Sequence, residues 1–292
     1  MKLLTRQKLC LHLDHYHYQD IEIYFDYIIR RSLKNNNVMG IFDEEQILAW
    51  ELYNQELKGT ARNIDGKVDF LEVGCGSGLW SILFKKHIGG TVLSIDKNQR
   101  AVKLTKINTL ENNVNIKIRY EAYNLATANY QSVKTIFLNP PFHIYPPEIE
   151  NSVPLYARGG FDGQREFKNQ LLLADYHLSE GGIIIFIMMC IGDSNVPEYC
   201  KYIQKIMDQN TSIYYLNVFE PIKSKIFLDS VYDNKYQHFI DKISRDYPYL
   251  FYTNGIIKKD DKGVIQNIRR ELDIRGKSWN DRIEIHKKIN KI

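Results

Sequence analysis

The chain has few prolines and cysteines and no long apolar run: 8 Pro and 4 Cys in 292 residues, and at most nine consecutive apolar residues, Ile183–Ile191. Each shortage excludes something. A bilayer-spanning helix needs about 20 apolar residues, so no membrane partner is expected. Eight prolines and 17 glycines cannot make a collagen repeat or a proline-rich disordered chain. Cys10, Cys75, Cys190 and Cys200 lie too far apart for a disulfide scaffold or a zinc ribbon. Cys75 reads as a small filler in a tight turn. The His12, Asp14, His15 and His17 patch lacks an acidic or cysteine partner at helical spacing, so no metal site is expected. Arg6 and Lys8 interrupt the only N-terminal apolar patch, and no small-residue cleavage site follows it. That is not a signal peptide, and a cytoplasmic location is the expectation.

The composition is ordinary for a soluble globular protein: 44% apolar and 25% charged, with a net charge of +4. The basic excess is C-terminal. Residues 221–292 hold 16 Lys and Arg against 10 Asp and Glu. Such a segment can steer a protein toward nucleic acid, but an excess this modest also suits an ordinary solvated surface.

Three stretches separate by pattern. Residues 1–66 read as a helical N-terminal extension or substrate lid. Ile21–Leu33 is apolar and ends near Arg30 and Arg31, where cations suit a helix dipole. Asp43 can cap a second helix whose apolar face is Ile47, Trp50, Tyr53 and Leu57. Residues 67–220 alternate strand and helix, with strands expected over 68–73, 91–95, 115–120, 134–138, 183–190 and 212–219. Alternation of this kind builds βαβ units and a mostly parallel sheet with its ligand rim at the strand C-termini. Residues 221–292 read as a C-terminal completion of the sheet with a basic helical tail. There a helix is expected near 230–245, and a hairpin of 250–258 with 264–268 turned at Asp260–Gly263. A last helix should start at Ser278 with Asp281 as its capping partner.

Three motifs carry chemistry. In Leu71-Glu-Val-Gly-Cys-Gly-Ser-Gly78 a strand runs into a turn with Gly74, Gly76 and Gly78 at every second position. The dinucleotide fingerprint G-x-G-x-x-G spaces its third glycine one residue later. The tighter spacing suits a smaller ligand resting on the turn. Asp96 ends the next strand, where an acid can accept both hydroxyls of a ribose. Asn139-Pro-Pro-Phe142 follows a fourth strand. Its prolines free carbonyls, Asn139 adds a side-chain acceptor and Phe142 a flat face. Together these would hold a planar –NH2 group and turn its lone pair toward a neighbour.

In this order and spacing, Glu72–Gly78, Asp96 and Asn139–Phe142 resemble the class I S-adenosylmethionine-dependent methyltransferases, specifically the Asn-Pro-Pro-Phe amino (N-) methyltransferases. Gly159-Gly-Phe-Asp-Gly163 followed by Leu178-Ser-Glu-Gly-Gly182 is similar to the release-factor glutamine methyltransferases. Phe142-His143 is closer to the ribosomal RNA guanine enzymes. The resemblance implies a Rossmann-like α/β fold with a mostly parallel seven-stranded sheet flanked by helices. It implies S-adenosyl-L-methionine as cofactor and S-adenosyl-L-homocysteine as product. Glu72, Gly74, Gly76, Gly78, Asp96, Asn124 and Asn139 would bind the cofactor, with Asn124 at the adenine. Asn139, the Pro140 carbonyl and Phe142 would hold the acceptor amine. The implied reaction is methyl transfer to a planar amide or amine nitrogen of a protein, peptide or small metabolite. The alternatives are an RNA or DNA base as acceptor, other chemistry of the same cofactor such as cyclisation, and a non-catalytic binding protein. His143 is a candidate base, and Arg158 and Asp162 are candidate substrate-gripping groups.

Overall fold

The computed structural model describes residues 13–26, 36–60, 68–122, 132–260, 262–268 and 276–290. Its centre is an eight-stranded sheet, one strand more than expected. The strands are β3 (Val68–Val73), β4 (Val92–Asp96), β5 (Lys117–Tyr120), β6 (Val133–Leu138), β7 (Leu178–Gly192), β8 (Thr211–Lys223), β9 (Tyr249–Lys259) and β10 (Ile265–Asn267). Their order is β10-β8-β9-β7-β6-β3-β4-β5. From β5 to β7 neighbours are parallel, whereas β9 runs antiparallel to both β7 and β8. The central strands read as unbroken apolar runs because helices cover both faces of the sheet. In β7, Ile183–Ile191 is buried at every position.

The expected C-terminal hairpin does not form. β9 inserts between β7 and β8, and the three-residue β10 pairs in parallel with the far side of β8. β9 has apolar residues on both faces and gains more burial as an interior strand than a two-stranded ribbon could give it. The short β10 accounts for the eighth strand.

The N-terminal stretch is also not wholly helical. β1 (Leu13–Tyr18) and β2 (Ile21–Asp26) form an antiparallel hairpin, paired from Leu13↔Asp26 to Tyr18↔Ile21. Gln19 turns it with a φ of 54°. The reason is a period of two inside the apolar run: Ile21, Ile23 and Phe25 are buried while Glu22 and Tyr24 are not. Asn108 and Asn112 then tie β2 to α3 (Gln99–Glu111) by hydrogen bonds to Tyr24 and Glu22. The expected second helix is present. A π-helical turn, Asp43–Ile47, leads into α1 (Leu48–Thr60), and together they bury Ile47, Trp50, Tyr53 and Leu57.

The remaining helices are α2 (Leu79–His87), α4 (Arg165–His177), α5 (Tyr199–Met207), α6 (Ser224–Val231), α7 (Gln237–Asp246) and α8 (Trp279–Asn290). The helix expected near 230–245 is thus split into α6 and α7. Ser278 caps α8 with Asp281 as expected, both its N–H and its hydroxyl donating to that carboxylate. One buried ion cluster locks the two ends of the chain together. Arg282 of α8 donates to Glu45 at 2.5 Å and to Glu44 at 2.6 Å, and none of the three is more than 2% exposed. Removing the guanidinium would strand two carboxylates in the core. Arg282→Ala should therefore lower the unfolding free energy by about 3–5 kcal/mol in urea titration. A loss below about 1 kcal/mol would show that the cluster is solvated.

Candidate active site

The sheet reverses its winding between β3 and β6. From β3 the chain winds outward through β4 to β5, then returns to place β6 on the other side of β3. In open α/β sheets ligands bind beyond the strand C-termini at such a point. A crevice of about 850 Å³, open to solvent, lies there. The glycine turn after β3 and the Asn-Pro corner after β6 both reach it.

The turn is held from below by one carboxylate. Asp96 Oδ2 accepts from the Gly76 N–H at 2.9 Å and Oδ1 from the Asn98 N–H at 2.7 Å. Gly76 and Gly78 have φ of 55° and 80°, where a side chain is strained. A Cβ on Gly78 would also stand 2.5 Å from Thr105, so this glycine lets α3 approach the turn closely. Burial raises the Asp96 carboxyl to about 6. Glu72, wholly buried beneath the turn, accepts from the Ser81 N–H at 3.0 Å, and desolvation pushes it to about 8. Near neutral pH Glu72 is therefore a protonated carboxyl, able to donate as well as accept. Cys75 is a filler as expected. Its Sγ lies 3.3 Å from Thr105 Oγ1, and burial drives the thiol far above its usual range.

Of the residues singled out from the sequence, Glu72, Gly74, Gly76, Asp96 and Asn139 line the crevice. Gly78, Pro140 and Phe142 do not line it, although Pro141 does. Asn124 lies outside the described residues. Among the described residues the buried Asn139 Oδ1 has no hydrogen-bond partner. The Phe142 ring is buried behind the corner, 6.1 Å from the Tyr252 ring. Gly159 and Gly163 explain that placement. They pack against the Phe142 and His143 backbone so closely that a Cβ on either would approach to 2.6–2.7 Å.

His143 does not line the crevice and stacks on His286 of α8 at 3.8 Å. Desolvation, with the His286 and Arg282 charges, drives its pKa well below the usual histidine range, so it is a neutral core residue rather than a base. Arg158 donates to the Val153 carbonyl, and Asp162 pairs with Lys168 at 3.1 Å and accepts from the Gln164 N–H at the start of α4. Both are occupied in shaping the loop. His17 pairs with Glu22 at 2.8 Å, and among the described residues no group of three potential ligands surrounds a metal position.

Sequence reasoning missed one wall. Residues Asn37–Ile41 and Gln46 line the crevice, as do Leu155 and Tyr156 from the loop after β6 and Gln170 from α4. None of these belongs to a spaced motif. Their positions follow from contacts across long sequence separations. Trp80 and Phe137 add an apolar wall: their rings stack at 3.8 Å, and the indole N–H donates to the Gln46 carbonyl.

Residues 46–152 match the family model of the methyltransferase small domain. Over this segment the chain is similar to that methyltransferase family. Methyltransferases of this family use S-adenosylmethionine. A candidate protein N5-glutamine methyltransferase of Methanocaldococcus jannaschii is 31% identical over 121 residues, covering 40% of this chain and 59% of its own. The ribosomal protein L11 methyltransferase of Thermosipho melanesiensis is 44% identical over 52 residues, 18% of this chain and 20% of its own. The chain thus spans about three fifths of the first relative's length and a fifth of the second's. Among solved structures, a SAM-dependent methyltransferase from Agrobacterium tumefaciens aligns over 85% of this chain and 70% of its own, with a TM-score of 0.49 and 14% identity.

The residues present fit the cofactor of this family. A glycine turn with exposed backbone, a buried carboxylate with lone pairs to spare and an unpartnered amide oxygen share one crevice. The raised Glu72 has a measurable consequence. In the folded state it keeps its proton up to about pH 8, whereas in the unfolded chain it titrates near 4.5. Its contribution to stability is therefore complete at low pH and declines as pH rises toward 8. Buried His143 and His286 titrate near 6.5 only in the unfolded chain, so their opposite effect on stability is largely complete by about pH 7. Between about pH 7 and 8 Glu72 should cost the protein about 1 kcal/mol of stability, a loss that Glu72→Gln should remove. An unchanged slope in the variant would show that Glu72 is ionised.

Proposed function

We propose that this chain is an S-adenosylmethionine-dependent N-methyltransferase acting on the planar amide or amine nitrogen of a protein or peptide. The observation that carries the reading is the buried Asn139 Oδ1, which has no partner among the described residues and lies on the wall shared with the Gly74–Gly76 turn and Asp96. An acceptor oxygen left unsatisfied in a core costs about 1–3 kcal/mol, so its position suits a ligand N–H. The small-metabolite acceptor is the weaker form of this reading, because the two relatives described above are named for protein substrates. Five of the 16 C-terminal cations, Lys225, Arg245, Lys259, Arg282 and Lys287, are paired with acids inside the protein, and Arg282 is buried.

When bound, the cofactor supplies an electrophilic methyl group on a sulfonium. The chain's part is placement. Asp96 takes the ribose hydroxyls with the lone pairs that its two backbone N–H donors leave free. Backbone of Gly74 and Gly76 supports the amino-acid portion, with the neutral Glu72 carboxyl beneath it. Asn139 Oδ1 accepts an N–H of the acceptor, which aims the nitrogen lone pair along the line of transfer; the Pro140 carbonyl, expected to take the second N–H, does not line the crevice. The Asn139 oxygen also favours the positive charge that grows on nitrogen in the transition state. Holding the reacting atoms within about 3–3.5 Å supplies much of the acceleration, and no general base is required beyond loss of one proton to water. Phe142 backs the corner from behind and fixes its angle.

Incubation with methyl-labelled cofactor and fractionated cell extract should place label on protein. Label in nucleic acid or small molecules would overturn that acceptor class. With the labelled acceptor in hand, Asn139→Ala should cut kcat by about 100-fold or more, as loss of one oriented transition-state hydrogen bond does, while cofactor affinity changes far less. Full turnover by the variant would remove Asn139 from the reaction.

A further inference from the structure

Residues 37–41 line the crevice, and the segment 36–41 is tied down at two points. The first tie runs through an ion pair between β2 and α3, which Asn108 and Asn112 also join. Asp26, the last residue of β2 and only 4% exposed, accepts a bidentate contact from one edge of the Arg100 guanidinium in α3, Nε at 2.7 Å and Nη2 beside it. The same carboxylate accepts from the Val38 N–H at 2.8 Å, and the Asp26 N–H donates to the Val38 carbonyl at 3.3 Å. The second tie is Asn98, whose side chain donates to the Asn36 carbonyl at 2.7 Å. Val38 itself sits against Ala101 and Leu104 of α3 and is the nearest neighbour of Gly76 on the turn.

The pair is therefore the point where the N-terminal hairpin, the segment 36–41 and the helix after Asp96 converge. We propose that residues 36–41 are a strap that retains the cofactor, and that Asp26 and Arg100 are the positioning residues that latch it. This rests on reading the crevice as the S-adenosylmethionine site. Neither Asp26 nor Arg100 lines the crevice. Their influence passes through Val38 and its neighbours. Opening the strap breaks the hydrogen bonds that join Val38 to Asp26, and the bidentate pair fixes the buried carboxylate that accepts one of them, which makes the pair a determinant of how long the ligand stays. The N-terminal hairpin thereby acquires a role, because β2 delivers Asp26 to α3.

Surface plasmon resonance with S-adenosylhomocysteine over immobilised full-length protein separates the outcomes. Arg100→Ala should raise the dissociation rate constant about thirtyfold, with an association rate constant that is unchanged or faster. Arg100→Lys, which keeps the charge but not the bidentate fork, should fall between it and the wild type. Asp26→Asn preserves an acceptor for Val38 and serves if Arg100→Ala does not fold; its dissociation should also quicken. A folded variant with wild-type dissociation, or one that loses only association rate, would overturn the strap. If the wild-type protein binds no S-adenosylhomocysteine at all, the reading of the crevice falls, and the strap with it.

Discussion

The site depends on the Asp96 carboxylate accepting two backbone N–H groups. One comes from Gly76 on the glycine turn and the other from Asn98 at the cap of α3. A buried carboxylate must be satisfied or neutralised, and here its environment does part of each: two short hydrogen bonds hold it while burial lifts its pKa to about 6. The consequence is geometric. The turn, the end of β4 and the start of α3 cannot shift independently, so the floor of the crevice is rigid before any ligand arrives. Rigidity of that kind is what placement-dominated catalysis needs.

Around this floor the chain builds three walls from distant parts of itself. β6 ends in the Asn-Pro corner, braced from behind by Phe142 and by the closely packed Gly159 and Gly163. Trp80 and Phe137 form an apolar wall at its base, and the Gln46 carbonyl fixes the indole. Residues 37–41 supply the third. The buried Arg282 with Glu44 and Glu45 then anchors α8 to the start of the helical segment that follows the strap. Both terminal stretches thus stabilise the surroundings of a core that matches the methyltransferase small domain over 46–152.

The core was legible from the sequence because its signals are local. β3, β4 and β6 fall on the expected stretches, and Asp96 and Asn139 reach one crevice because parallel strands end on one rim. The hairpin was not legible as such. Ile21, Ile23 and Phe25 sit in a longer apolar run that hides their period of two. The strap has no periodicity, and its ties to α3 and its cap join residues more than 60 positions apart. Phe142 and His143 sit elsewhere than expected for a related reason: the sequence shows an aromatic pair after two prolines but not that α8 and Tyr252 cover them. β9 shows the same limit, since nothing local says that it inserts between two earlier strands.

A crystal structure of the protein with S-adenosylhomocysteine tests the central claim most directly. Both ribose hydroxyls should lie on the Asp96 carboxylate, with the Gly76–Asp96 and Asn98–Asp96 hydrogen bonds intact and the sulfur turned toward Asn139. A ligand bound elsewhere, or one that meets Asp96 only after those two hydrogen bonds break, would contradict it.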